Sequence, residues 1–106
     1  MAILPKSALS PLLVGNTHYV ALEGGGEAVI HYGSDQTSHM RLPGGQEMTG
    51  RWSFLDDGYH VSWQDGPEGD WHIDHAPGRL SYLDQTRRTR GEISRLVPGD
   101  PEGFAK

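Results

Sequence analysis

The sequence predicts an all-β fold, an eight-stranded antiparallel up-and-down barrel that follows a short N-terminal helical turn. The 106 residues include 15 glycines and 7 prolines, spread along the chain as turn residues are. Between these turns, apolar and polar residues alternate with the period of a β-strand. The connections are too short for the crossover that parallel neighbours need, so consecutive strands should be antiparallel.

The predicted elements follow in order along the chain. Residues 1–14 form an N-terminal segment in which KSALSPLLV supplies the helical turn. Eight strands come next, at 16–22, 27–32, 37–42, 47–55, 59–64, 70–75, 79–83 and 90–97. The sequences between them are rich in turn residues: EGGGE, GSDQ, PGGQ, DDG, QDGPEG, APG and QTRRT. We expect residues 1–106 to form a single domain whose tail, 98–106, is poorly packed.

The hairpin in GRWSFLDDGYHVSW determines which side chains share a face of the sheet. A two-residue type I′ turn at Asp57 and Gly58 sets Trp52 opposite Trp63 and gathers the apolar residues on one face. A three-residue loop would displace the pairing by one residue and scatter them over both faces. The two-residue turn is therefore the prediction.

The same reasoning, extended along the chain, gives the whole sheet one apolar face. The inward pairs that it predicts are Leu22–Ala28, Val20–Ile30, Ile30–Met40, Tyr32–Ser38, Leu42–Met48, Ser38–Trp52, Trp63–Trp71, Val61–Ile73, Tyr59–His75, Ile73–Leu80, Trp71–Tyr82, Leu80–Ile93 and Tyr82–Gly91. Because no helix is long enough to cover this face, the sheet should close on itself. A β-sandwich is the alternative, but it needs a longer crossing connection.

Residues 12–97 resemble in architecture the calycin group, which includes the lipocalins and streptavidin-type barrels, and more loosely small bacterial lipocalin-like proteins. Lipocalins begin their first strand with Gly-x-Trp, and the GNT here has Gly15 but Thr17 in the tryptophan's place. Lipocalins also carry a last-strand arginine that packs across that tryptophan, and Arg95, in EISRL, is in a comparable place. The resemblance implies a barrel that is filled or holds a ligand, and that opens at the end bearing loops 23–27, 43–47, 64–70 and 84–89.

A row of aromatic residues inside the barrel is the predicted binding site. Rings with polar tips stack against flat ligands and orient them by hydrogen bonds. The ligand-binding candidates are Tyr32, Ser38, Trp52, Trp63, Trp71 and Tyr82. We therefore expect the barrel to bind an apolar or aromatic small molecule without transforming it. A filled structural or interaction barrel is an alternative, since cross-strand aromatic pairs stabilise sheets without a ligand.

A further alternative is catalytic. Tyr59 and His75, predicted to face each other inside the barrel, could move a proton in an isomerase or cyclase. The sequence contains no nucleophile elbow, P-loop, zincin motif or dinucleotide fingerprint, and we expect no cofactor. We also expect no metal site in HIDH, because His72 and Asp74 share one face of a strand while His75 takes the other.

Composition limits the expected partners. The formal net charge of −5 argues against nucleic acid, whose binding proteins need a positive surface, and the basic run at 87–90 is local. Pro5 and Pro11 interrupt the apolar N-terminal stretches, so we expect neither a signal peptide nor a membrane partner. The absence of cysteine predicts a cytoplasmic location, although a periplasm is also compatible with it. The sequence is also compatible with a homodimer.

Overall fold

The computed structural model describes residues 2–64 and 66–104. Within these residues the chain forms a closed barrel of eight antiparallel strands in up-and-down order, with one short helix before it, as the sequence predicts. The elements are β1 (Ala2–Ile3), α1 (Lys6–Leu13), β2 (Asn16–Leu22), β3 (Glu27–Tyr32), β4 (Thr37–Arg41), β5 (Glu47–Phe54), β6 (Tyr59–Trp63), β7 (Glu68–Ala76), β8 (Arg79–Leu83) and β9 (Thr89–Pro98).

Strands that are consecutive in the barrel are also consecutive in the chain, and β2 pairs with β9 to close it. Closure pairs the two edges that an open sheet of this length would leave free. The short β1 adds to β7 beyond the end of β6, where Ala2 lies opposite His75. The strand β7 begins at Glu68, two residues earlier than predicted.

The tip of the β5–β6 hairpin consists of Asp56 and Asp57, one residue earlier than predicted. The Leu55 N–H donates to the Gly58 carbonyl at 2.8 Å and closes this tip. The predicted type I′ turn is wrong, because neither Asp57 nor Gly58 has the positive φ that it requires. A Cβ at Gly58 would collide with the Trp71 carbonyl, so glycine here allows two backbones to approach closely.

The earlier tip displaces the pairing by two residues and leaves each side chain on its predicted face. Trp63 lies opposite Gly50, and Trp52 lies opposite Val61. A Cβ at Gly50 would meet the Ser62 carbonyl and lie 2.9 Å from the Trp63 Cα, so this approach requires glycine. Four other hairpins show displacements of two or four residues, whereas β3–β4 and β8–β9 have the predicted register.

Helix α1 closes one end of the barrel. Leu9 and Leu13 are fully buried and join the cluster of apolar side chains in the interior. The Lys6 N–H donates to the Asp56 carbonyl at 3.0 Å, which ties the first turn of the helix to the tip of the β5–β6 hairpin. Burial of the two leucines supplies most of the helix's stability, because eight residues are too few to be helical alone.

The C-terminal strap, residues 99–104, packs on the outer face of the barrel, whereas the sequence predicts a poorly packed tail over 98–106; residues 105 and 106 lie outside the described residues. The Tyr19 hydroxyl donates to Glu102 Oε2 at 2.7 Å, and Arg41 Nη1 donates to Glu102 Oε1 at 2.8 Å. The Thr17 hydroxyl donates to the Gly99 carbonyl at 2.8 Å. Through these bonds the strap covers the outer sides of β2 and β4. Thr17 and Tyr19, on β2, are buried.

The position of Arg95 differs from what the resemblance implies. Its guanidinium lies over the ring of Tyr19 on the outside of the barrel, 4.0 Å from the ring centre. Thr17, which occupies the place of the lipocalin tryptophan, bonds to His31 Nδ1 at 3.0 Å and to the strap. The barrel architecture is therefore present with different contacts at these two positions.

Candidate functional site

The half of the barrel away from α1 contains a cavity of about 390 Å³. This volume lies near the lower end of the range for small-molecule sites. The wall is aliphatic and aromatic, and Val20, Ile30, Met40 and Met48 contribute to it. Arg90 is the one charged side chain among the described residues of the wall. The composition of the wall suits an apolar ligand body.

The cavity opens at the end of the barrel opposite to the helix. Leu42, Pro67 and Arg90 line it beside the loops that follow β4, β6 and β8. This is the end at which the resemblance implies an opening. The other half of the interior is filled, with Ile73 and Leu9 fully buried below the cavity. The barrel therefore has one packed end and one open end.

A chain of hydrogen bonds between buried polar side chains forms the floor of the cavity. The Tyr32 hydroxyl lies 2.7 Å from that of Tyr82 and 3.1 Å from that of Tyr59. The Tyr82 hydroxyl lies 2.6 Å from His18 Nδ1, and His18 Nε2 lies 2.8 Å from the Leu12 carbonyl. We call these four side chains the tyrosine–histidine chain. It connects the floor of the cavity to the last turn of α1.

The tyrosine–histidine chain is uncharged near neutral pH. Burial lowers the pKa of His18 to about 4, because the imidazolium would be removed from water, and the bond to the Leu12 carbonyl only partly opposes this. Burial also raises the pKa of Tyr59 to about 12 and those of Tyr32 and Tyr82 well above their usual value. All four side chains are therefore in their neutral forms.

The direction of each hydrogen bond in this chain follows from its two ends. A carbonyl only accepts, so His18 Nε2 carries the ring proton and donates to Leu12, and Nδ1 is an acceptor. Tyr82 must then donate to His18, which leaves its oxygen to accept from Tyr32. The oxygen of Tyr32 in turn accepts from Tyr59. Every hydroxyl proton in the chain is therefore used internally.

Four of the ligand-binding candidates line the cavity. Tyr32 and Tyr82 belong to its floor, while Trp63 and Trp71 stand in the wall nearer the opening. The rings of Trp71 and Tyr82 have centroids 6.2 Å apart at an angle of 52°. The predicted row of adjacent aromatic pairs is replaced by a cluster around Tyr32, because most hairpins are displaced from the predicted register.

Two ligand-binding candidates lie away from the cavity. Trp52 is buried in the packed half of the barrel, where its Nε1 donates to the Gly33 carbonyl at 3.1 Å. Ser38 faces the interior opposite Tyr32 and is fully buried. Its hydroxyl has no hydrogen-bond partner in the described part of the chain. Both side chains belong to the packed core in this structure.

The structure separates the two residues of the catalytic alternative. Tyr59 lies opposite Trp71 at the cavity floor, whereas His75 lies opposite Leu80 near the helix end and is exposed. The histidine that joins the tyrosines is His18, which is not among the residues that the sequence predicts for the site. The available signal was its place on β2 two residues before the inward Val20, because a buried polar side chain on an apolar face needs a hydrogen-bond partner.

The HIDH segment makes structural contacts. His72 Nδ1 lies 2.8 Å from the Asp57 carbonyl, so this nitrogen donates to the β5–β6 hairpin. The predicted pairing of Val61 with Ile73 would place Asp74 opposite His60, but the displaced register places Asp70 there, and His60 Nδ1 bonds to Asp70 at 2.7 Å. In residues 2–64 and 66–104, no group of three histidines or carboxylates is arranged to hold a metal ion.

Comparisons with known proteins give no relative. No family model matches the chain, and neither a curated protein nor a solved structure matches it. None of the helices in the described residues has the length and apolar character needed to cross a membrane. The function of the site must therefore be inferred from its geometry.

Proposed function

We propose that this protein binds a small, predominantly apolar molecule in the barrel cavity and releases it chemically unchanged. The observation that carries the proposal is the open cavity of about 390 Å³ with aliphatic and aromatic walls. An eight-stranded barrel is just wide enough for its side chains to fill the interior. Apolar space that is left empty costs stability, because the side chains around it lose packing contacts. A ligand in this space would restore those contacts.

The contents of the wall define the class of ligand. Met40 and Met48 are flexible side chains that adapt to ligands of different shapes. Trp63 and Trp71 offer flat apolar surfaces near the opening. An aliphatic or aromatic body of modest size suits these surfaces. Calycin barrels, which this architecture resembles, hold ligands in the same place, and we propose the same use here.

Fluorescence titration tests the proposal. N-phenyl-1-naphthylamine, an apolar dye that brightens out of water, should bind one to one and quench the emission of Trp63 and Trp71. Aliphatic alcohols and polycyclic arenes of graded size should then displace it. A saturable site that accepts several of these compounds and rejects those too large for the cavity is the expected result.

Two matched substitutions separate cavity binding from surface binding. Ala28 is buried in the cavity wall, so Ala28→Leu should fill part of the space and weaken dye binding about tenfold or more. Ala21 lies on the exposed outer face of the neighbouring strand, so Ala21→Leu should leave binding unchanged. Equal binding by both variants, with unchanged melting curves, would show that the dye occupies another place and would overturn the proposal.

A further inference from the structure

Among the described residues, the side chains of the cavity floor have no free hydrogen-bond donor. Tyr59 donates a hydrogen bond to Tyr32, Tyr32 donates to Tyr82, and Tyr82 donates to His18. The ring N–H of His18 is already bonded to the Leu12 carbonyl. What the floor retains is acceptor capacity, chiefly the second lone pair of the Tyr82 oxygen, because Tyr59 and Tyr32 are almost completely buried.

We propose that the tyrosine–histidine chain selects ligands by the chemistry of their inner end: it admits an apolar, hydroxyl or N–H end and rejects a carbonyl or carboxylate end. This inference rests on the proposed function. A carbonyl that leaves water without meeting a donor loses its hydrogen bonds, whereas a hydroxyl could donate to a tyrosine oxygen. The ligand is then an amphiphile that enters with its apolar or alcohol end first and keeps its polar head at the mouth.

Because of its position, the tyrosine–histidine chain selects only the end of the ligand that reaches the floor. Tyr32, Tyr59 and Tyr82 are the residues at which the cavity lining ends and the packed half begins. Tyr82 keeps about 5% of its surface accessible and is the most accessible of the three. Polar groups elsewhere on the ligand, beside Arg90 at the mouth, stay in contact with water and are not selected in this way.

Counting protons predicts which substitution reverses the selection. Tyr82 is the hydroxyl that both other tyrosines approach and the one that donates to His18. In Tyr82→Phe the protons of Tyr59 and Tyr32 share the single contact between these two residues, so one O–H is free for a ligand. Tyr59→Phe is the matched control, because it also removes one hydroxyl but leaves Tyr32 donating to Tyr82 and Tyr82 donating to His18.

Probes with a fixed orientation test the inference. Alkyltrimethylammonium ions of equal chain length carry a permanent charge that stays in water, so their far end reaches the floor. Three such probes end in a methyl group, a hydroxyl group or a methyl ketone. Calorimetry on the wild-type protein should show the methyl and hydroxyl probes binding about tenfold or more tightly than the ketone probe.

The variants give the decisive comparison. In Tyr82→Phe the affinity for the ketone probe should rise to within about threefold of that for the methyl probe, whereas Tyr59→Phe should keep the wild-type gap. Melting curves show whether each variant folds, and the comparison of probes on the wild type tests the inference without any variant. Equal affinities in the wild type, or a gap that persists in folded Tyr82→Phe, would overturn the inference. If no probe binds the wild type but N-phenyl-1-naphthylamine does, the inference fails and the proposed function stands; if the dye does not bind either, both fail.

Discussion

His18 Nδ1 lies 2.6 Å from the hydroxyl oxygen of Tyr82, at the junction between the open and the packed halves of the barrel. Through this bond and the one from His18 Nε2 to the Leu12 carbonyl, the cavity floor is connected to helix α1. The arrangement requires a neutral imidazole, because Nδ1 must accept a hydrogen bond from the Tyr82 hydroxyl. The stability of the barrel and the chemistry of its cavity therefore both depend on the protonation of one side chain.

We expect the barrel to lose stability as the pH falls from about 6.5 towards 4. Burial lowers the pKa of His18 from 6.5 to about 4, so over this interval the unfolded chain binds a proton that the folded chain does not. The contribution of neutral His18 to the free energy of unfolding is complete above the unfolded pKa of 6.5. It falls by about 3 kcal/mol in all as the pH drops towards 4, because the unfolded chain binds the proton there. Urea unfolding across this pH range measures the decline.

The variant His18→Asn isolates this effect from other titrating groups. His60, whose pKa is raised chiefly by its bond to Asp70, contributes in the opposite direction, with stability that is lost as the pH rises. Both proteins contain His60, so the difference between their slopes reports on His18. Identical slopes for the wild type and His18→Asn would contradict the prediction.

The three tryptophans should respond differently to a ligand. Trp63 lies in the cavity wall, whereas Trp52 is buried in the packed half and donates to the Gly33 carbonyl. Trp63→Phe should therefore remove a large part of the quenching caused by N-phenyl-1-naphthylamine, and Trp52→Phe should retain it. A loss of quenching in Trp52→Phe with the dye still bound would place the ligand deeper than the cavity floor.

Ser38→Ala should stabilise the protein. The Ser38 hydroxyl is buried and has no partner in the described residues, so the folded state loses the hydrogen bonds that the unfolded chain makes with water. Removing it should raise the free energy of unfolding by about 1 kcal/mol. Ser53 is exposed, so Ser53→Ala serves as the control and should change little. Destabilisation by Ser38→Ala would indicate a partner for this hydroxyl.

Glu102→Gln should loosen the C-terminal strap. The Tyr19 hydroxyl, and then Arg41, hold the pKa of Glu102 below its usual value by hydrogen bonding to the carboxylate. The amide cannot accept from both, so the free energy of unfolding should fall by about 1 kcal/mol, with solvent screening limiting the loss. Glu92→Gln is the control, because Glu92 and Arg79 form an exposed pair at 3.6 Å. Chemical denaturation of both variants makes the comparison, and equal losses would argue against a structural strap.

The candidate site was only partly predictable from the sequence. Tyr32, Trp63, Trp71 and Tyr82 were identified because the alternation of apolar residues shows which side of a strand faces inward. Trp52 shares that inward face, yet it lies in the packed half. The depth of a side chain in the barrel depends on where α1 packs and how far the core extends, and neither quantity is visible in a periodic pattern. His18 was missed because its partner Tyr82 is distant in the sequence.

Strand positions, the inward face and closure into a barrel were determined by the sequence itself. These features depend on short-range rules: side chains alternate along a strand, glycine and proline interrupt strands, and short loops make neighbours antiparallel. A displacement by two residues preserves the alternation, so the sequence pattern could not choose between Trp52 and Gly50 as the partner of Trp63. The partner is Gly50, because the two backbones approach more closely there than a residue with a Cβ would allow.

The tertiary structure alone decided that the barrel is half filled, that His18 completes a chain of three tyrosines, and that residues 99–104 cover its outer face. Each of these features joins side chains that lie far apart in the sequence. The distances between these side chains depend on the packing of the whole barrel, because a change of register in one hairpin displaces all the strands that follow it. Local patterns specify the strands, and the long-range packing of those strands specifies the cavity.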